Sequence, residues 1–107
     1  MMNKLLMIAV AAMVLTGAPA FAGDAAAGKT KSKTCAACHG PDGNSVSPDF
    51  PRIAGQHYDY LVKVLKRYKS GERKNAIMSA QAANLSRRDI EDLAAYYSQQ
   101  QGLVTKY

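Results

Sequence analysis

Cys35-Ala36-Ala37-Cys38-His39 is the stretch on which the reading of this chain turns. A C-x-x-C-H run is the attachment site of a c-type haem. Two thiols must add to the two vinyl groups of one porphyrin, so they sit a fixed short distance apart on one helical turn. The adjacent histidine then presents its imidazole to the iron. The predicted cofactor is therefore one covalent haem c with its iron. Two other uses of the same residues fit less well. A redox disulfide of the thioredoxin kind belongs beside a βαβ pattern, and the chain has none. Zinc would take Cys35, Cys38, His39 and His57, but three ligands in so tight a run close poorly into a tetrahedron.

Upstream of the motif the chain changes character. Met1 to Lys4 carries one positive charge, and Leu5 to Leu15 is an unbroken apolar run. Gly17-Ala18-Pro19 breaks that run, and Ala20-Phe21-Ala22 supplies a small-x-small cleavage site. Residues 1–22 read as a secretory signal peptide cut after Ala22. The apolar run is short for a membrane anchor, which takes about 20 residues. Residues 23–107 then form one domain. Loss of Lys4 lowers the net charge from +6 to +5. The chain has no Trp, and so small a domain buries little apolar surface unaided. A buried, covalently held haem would be the staple, and export suits a functional cysteine pair.

The rest of the chain reads as helices and loops. Asp24 can cap a first helix running to about Thr34. Gly28 lies inside it at a cost of about 1 kcal/mol relative to Ala, which implies close approach of another helix. Residues 40–55 hold Pro41, Asp42-Gly43, Asn44, Pro48 and Pro51, a loop composition. Tyr58 to Ser70 returns to helix, with Leu61, Val64, Leu65 and Tyr68 at helical spacing and Gly71 as terminator. Asn75 to Asn84 is a weaker segment around Met78, a short helix or a loop. Ser86 with Asp89 three residues on is a capping box for the last helix. Ile90, Leu93, Ala94 and Tyr97 form its buried stripe, and Gly102 reads as its terminator. The fold class is all-α.

A haem held by His39 has one further axial position. Met1, Met2, Met7 and Met13 leave with the leader, so Met78 is the one thioether in residues 23–107. It stands far enough along the chain for the polypeptide to wrap the ring. His57 is the rival ligand, and an open five-coordinate iron is the third arrangement. A methionine that fills a core gap is the ordinary alternative role. Met/His ligation raises the reduction potential and fills both axial sites. That suits an electron carrier and disfavours oxygen or peroxide chemistry.

Taken together, these stretches resemble a class I c-type cytochrome of the small, single-haem bacterial periplasmic type. The chain is similar to one domain of the two-haem periplasmic cytochromes. The resemblance is carried by Gly23 to Gly28, Cys35 to Gly43, Phe50 to Gln56, Tyr60-Leu61, Leu65, Tyr68, Gly71, Arg73, Met78 and Leu85 to Tyr97. It implies the small cytochrome c fold, helices wrapped around one haem. It implies thioethers from Cys35 and Cys38, with His39 proximal and Met78 distal on the metal. It implies that the Pro51 carbonyl accepts a hydrogen bond from the His39 ring, the usual device for orienting such a ligand. Ile53 would pack on the haem, and Tyr60 and Arg73 would lie near its propionates. Gly28 would meet the last helix near Ala94 and Tyr97. Thr30 to Thr34 are polar where the family often has a large apolar residue, which predicts a smaller contact between first and last helices.

Lys29, Lys31 and Lys33, then Lys63, Lys66, Arg67, Lys69, Arg73 and Lys74, make the surface basic. Such residues commonly form a solvated face; here they also suit steering toward redox protein partners with acidic docking surfaces. Nucleic acid does not suit an exported protein, and no stable membrane insertion is expected after leader cleavage. The expected protein is a periplasmic electron carrier, not an enzyme, acting as a monomer or in transient complexes. The alternative is a haem subunit, or a ligand-binding or sensing haem protein with a displaceable sixth ligand.

Overall fold

The structure, a computed structural model, describes residues 23–103. The expected leader, residues 1–22, lies outside the described residues, as do residues 104–107. Five helices follow one another: α1 (Ala25–Lys31), α2 (Lys33–His39), α3 (Tyr58–Ser70), α4 (Ala76–Ala83) and α5 (Arg87–Ser98). No strand occurs among the described residues, so the all-α expectation holds.

Local chemistry starts three of these helices. The Asp24 carboxylate accepts from the Ala26 and Ala27 N–H groups at 2.9 and 3.4 Å. Asn75 caps α4, and Ser86 and Asp89 form the expected capping box at the start of α5. Each such cap is worth about 1 kcal/mol. The first helix is shorter than its composition suggests. It ends at Lys31, because the buried Ser32 turns its hydroxyl back onto the Lys29 carbonyl at 2.7 Å. A side chain that bonds the local backbone competes with helix continuation. The chain restarts as α2, which carries the cysteines and His39 and stops at Gly40, whose φ of +85° suits glycine.

α5 is the centre of the domain. Ile90 and Asp92 through Tyr97 are all buried, a burial wider than one stripe because α1 and α3 both pack on it. α3 presents Leu61, with Tyr58, Val62 and Leu65 packed beside it on the core. Val62 thus takes the place expected for Val64, a small rotation of the helix that keeps the i, i+3, i+4, i+7 rule. Gly102 does not end α5. The helix is capped at Gln99, and Gly102 lies where a Cβ would be 2.6 Å from that of Ala54.

The α1–α5 crossing is the most extensive helix pair, against the expectation of a small one. Gly28 permits it: a Cβ there would lie 2.0 Å from the Asp92 carbonyl oxygen and 2.8 Å from the Tyr96 Cβ. The crossing is thus centred on Asp92 and Tyr96, not on Ala94 and Tyr97; the Tyr97 ring turns instead toward Gly43. Polar groups do the joining. The Lys31 ammonium meets Asp92 at 2.6 Å and Asp89 at 2.9 Å, and Asp92 also accepts from the Asp24 N–H at 2.8 Å.

These bonds set an acid limit. The Ser86 N–H and then the Lys31 ammonium hold the Asp89 carboxyl down to about 2. Burial pushes Asp92 up, but Lys31 and the Asp24 N–H keep it below the usual carboxylate range. Carboxylates whose folded value is depressed stabilise the fold above the unfolded value of about 3.9, and that contribution is lost as pH falls through the folded value. The denaturant midpoint of the protein should therefore fall steadily from about pH 4 toward about pH 2. Asp89→Asn should make that acid limb shallower, and a limb of unchanged slope would contradict this account.

Candidate functional site

α2 presents Cys35, Cys38 and His39 within one and a half turns. Both cysteines are half-buried, free thiols. His39 is 8 % exposed, and its Nδ1 lies 2.8 Å from the Pro51 carbonyl oxygen. A carbonyl oxygen only accepts, so Nδ1 carries the proton. Nε2 is then the nitrogen with a lone pair for a metal.

Pro51 reaches His39 because its loop is tied at several points. The Gly43 carbonyl accepts from both the Ile53 and Ala54 N–H groups, at 2.9 and 3.1 Å. Ala54 is fully buried. The Gly55 N–H donates to the Tyr97 carbonyl at 2.8 Å, and the Leu103 N–H to the Ala54 carbonyl at 2.8 Å. The Tyr96 hydroxyl donates to the Pro41 carbonyl at 3.1 Å. The end of α5 thus holds the loop that holds the histidine.

Met78 lies in the first turn of α4. The Asn75 side chain accepts from the Ile77 and Met78 N–H groups at 3.0 and 2.9 Å, which fixes the backbone that carries the thioether. Met78 is half-buried and near His39. The segment expected as a short helix or a loop is therefore helix. The α2 and α4 backbones do not approach each other. Cys35, Ile53, Tyr58, Val62, Leu65 and Leu85 pack on the core while keeping part of their surface open.

The remaining expected residues divide. Ile53 packs against the core cluster. Tyr60 is 48 % exposed and is hydrogen-bonded to Arg73, which raises the guanidinium above its usual range. The Arg73 guanidinium also lies 5.0 Å from the Tyr68 ring centroid. Tyr60 and Arg73 thus form one group with Tyr68. His57 is exposed at the N-cap of α3. No three His, Cys, Asp or Glu side chains converge in a metal-holding group among the described residues. The zinc arrangement of Cys35, Cys38, His39 and His57 is not formed.

A family profile described as cytochrome c matches residues 25–101. This chain belongs to the cytochrome c family. It is 48 % identical over 99 residues to a cytochrome c4 of Pseudomonas aeruginosa, covering 92 % of this chain and 49 % of that one. Cytochrome c-554(548) of Halomonas halodenitrificans is 49 % identical over 83 residues, covering 75 % of this chain and all of that one. The crystal structure of reduced recombinant cytochrome c4 from Pseudomonas stutzeri superposes with a TM-score of 0.73 at 47 % identity. That superposition covers 78 % of this chain and 48 % of that one. The chain spans about half the length of the cytochrome c4 relatives it matches.

The site fits the cofactor of this family. Two free thiols on one helical face, an oriented neutral imidazole and partly open apolar side chains suit a flat apolar macrocycle. Cys35 and Cys38 form the attachment motif for a covalent haem c. In the double variant Cys35→Ala, Cys38→Ala, any haem should be lost on acid–organic extraction, whereas the wild-type pigment stays with the polypeptide. Pigment retained by the double variant would refute attachment at these residues.

Sequence reasoning missed two features. One is the Lys31–Asp92 contact, because a lysine in a polar run carries no sign of its partner. The other is the Tyr97 hydroxyl beside Cys35, because a stripe assigns a tyrosine to the core without saying where its oxygen ends.

Proposed function

We propose that this protein is an exported one-electron carrier whose iron is bound by His39 on one side and Met78 on the other. The observation that carries this reading is the pairing of a His39 ring fixed through Nδ1 with a nearby methionine on a capped helical turn. The haem supplies a one-electron iron couple. The chain's residues do the rest. Pro51 holds the imidazole in one tautomer. Asn75 anchors the turn that aims the thioether. Ile53 gives apolar cover, and the Tyr60–Arg73 pair offers a phenol and a cation to the propionates. With His39 and Met78 both holding the iron, no coordination site would be left for a substrate, which suits a carrier. Residues 1–22 are read as the leader that delivers the chain to the periplasm.

The partner surface is the exposed side of α3. Lys63, Lys66 and Arg67 surround a shallow depression with Asp59, Val62 and Glu72. Arg67 meets Glu72 only at 3.9 Å and both are exposed, so the depression keeps a basic character. An acidic surface on a redox protein complements it. No helix among the described residues is long and apolar enough to cross a membrane.

Met78→Ala should lower the midpoint potential and let carbon monoxide bind the reduced protein rapidly, while the wild type binds it slowly. Rapid binding by the wild type would favour a ligand-binding or sensing role instead. Raising ionic strength should slow electron exchange with an acidic redox protein, and Lys63→Glu with Lys66→Glu should flatten that dependence. A rate insensitive to salt would remove the docking assignment.

A further inference from the structure

Tyr97 is 3 % exposed, yet its hydroxyl is a buried polar atom with no hydrogen-bond partner among the described residues. Leaving such a group unpaired costs about 1–3 kcal/mol. The ring has little freedom to reach water. A Cβ on Gly43 would lie 2.8 Å from the Tyr97 Cδ1, so glycine lets the ring lie against this loop, and Tyr96 packs edge-on with centroids 5.1 Å apart.

Cys35 packs against the cluster that contains Tyr97, and the side chains that interact with the phenol are Cys35 and Ser32. Ser32 already spends its proton on the Lys29 carbonyl, so it cannot serve Tyr97 as donor. Cys35 changes character when it is used. As a thiol it can both donate and accept. When it adds to a vinyl group, sulfur bonds one vinyl carbon and the thiol hydrogen ends on the other, with no net oxidation. The resulting thioether sulfur accepts only. The phenol is then the group with a proton to give.

We propose that Tyr97 donates a hydrogen bond to the Cys35 thioether sulfur and thereby raises the reduction potential of the haem. The inference rests on the haem-bearing electron-carrier reading given above. The donor draws electron density from the sulfur and so from the macrocycle, which favours the reduced iron. The contact is buried, so solvent screens it little, and hydrogen bonding around a haem is an established means of tuning its potential. Tyr97 is a tuning residue that acts through Cys35, not a ligand.

Potentiometric titration of the matured holoprotein tests this, with resonance Raman spectra in light and heavy water. Tyr97→Phe keeps the ring and removes the donor. It should lower the midpoint so that the reduced-to-oxidised ratio at the wild-type midpoint falls about twofold. The iron–sulfur absorption signature should be unchanged. In the wild type the Cys35 carbon–sulfur stretch should shift in heavy water, and in Tyr97→Phe it should not. Ser32→Ala, which leaves the phenol and the sulfur in place, should leave the midpoint and the isotope shift as they are. An unaltered midpoint in haem-replete Tyr97→Phe, or an equal fall in Ser32→Ala, would overturn the proposal. If Tyr97→Phe does not mature, the wild-type isotope shift decides: its presence supports the proposal and its absence overturns it. Loss of the iron–sulfur signature in the wild type would instead count against the carrier reading.

Discussion

The hydrogen bond from His39 Nδ1 to the Pro51 carbonyl, 2.8 Å long, is the contact on which the site depends. It selects the tautomer, fixes the ring plane and leaves Nε2 as the basic nitrogen. An imidazole without it would rotate and bind metal less tightly. Pro51 is itself held at second hand. Its loop folds around the Gly43 carbonyl and is bonded through Gly55 to Tyr97 at the end of α5 and through Ala54 to Leu103 beyond that helix. The last helix therefore reaches the iron ligand through backbone hydrogen bonds.

A second constraint is size. The described domain has a core of few residues, and its largest fully buried side chains include an aspartate, Asp92. A buried carboxylate is costly unless paired. Here Lys31 and the Asp24 N–H pair with it, and the Gly28 crossing lets α1 come close enough for both to reach. The polar run from Thr30 to Thr34 thus strengthens the α1–α5 contact where apolar packing is scarce. A covalently held haem would add apolar surface of its own; α2 and α4 stand apart, and side chains such as Ile53, Leu65 and Leu85 are only partly buried.

Much of this could be read without coordinates where the signal is local. The C-x-x-C-H run names its chemistry because thioether attachment demands that spacing. Asp24 and the Ser86–Asp89 box mark helix starts because the side chain bonds the N–H groups two or three residues on. Met78 stands out as the one thioether in residues 23–107, and Asn75 supplies a cap that the composition around it obscured. The errors are of another kind. Ser32 broke a helix that Ala25 to Ala27 promised, through one hydroxyl bonded to the Lys29 carbonyl. Gly102 looked like a terminator but serves close packing on Ala54. The crossing at Gly28 fell on Asp92 and Tyr96, because register between distant helices is a matter of packing.

The amino-acid sequence alone determined the helical class and the covalent cofactor, and it singled out the residues proposed to hold the iron, since each rests on residues a few positions apart or on the one thioether of residues 23–107. The tertiary structure decided which atoms meet across the chain. It set the Pro51 carbonyl on His39, joined Lys31 to Asp92, and placed the Tyr97 hydroxyl beside Cys35. Those pairings join segments far apart in the chain. Their geometry comes from how helices and loops fill space together, and no local pattern encodes it.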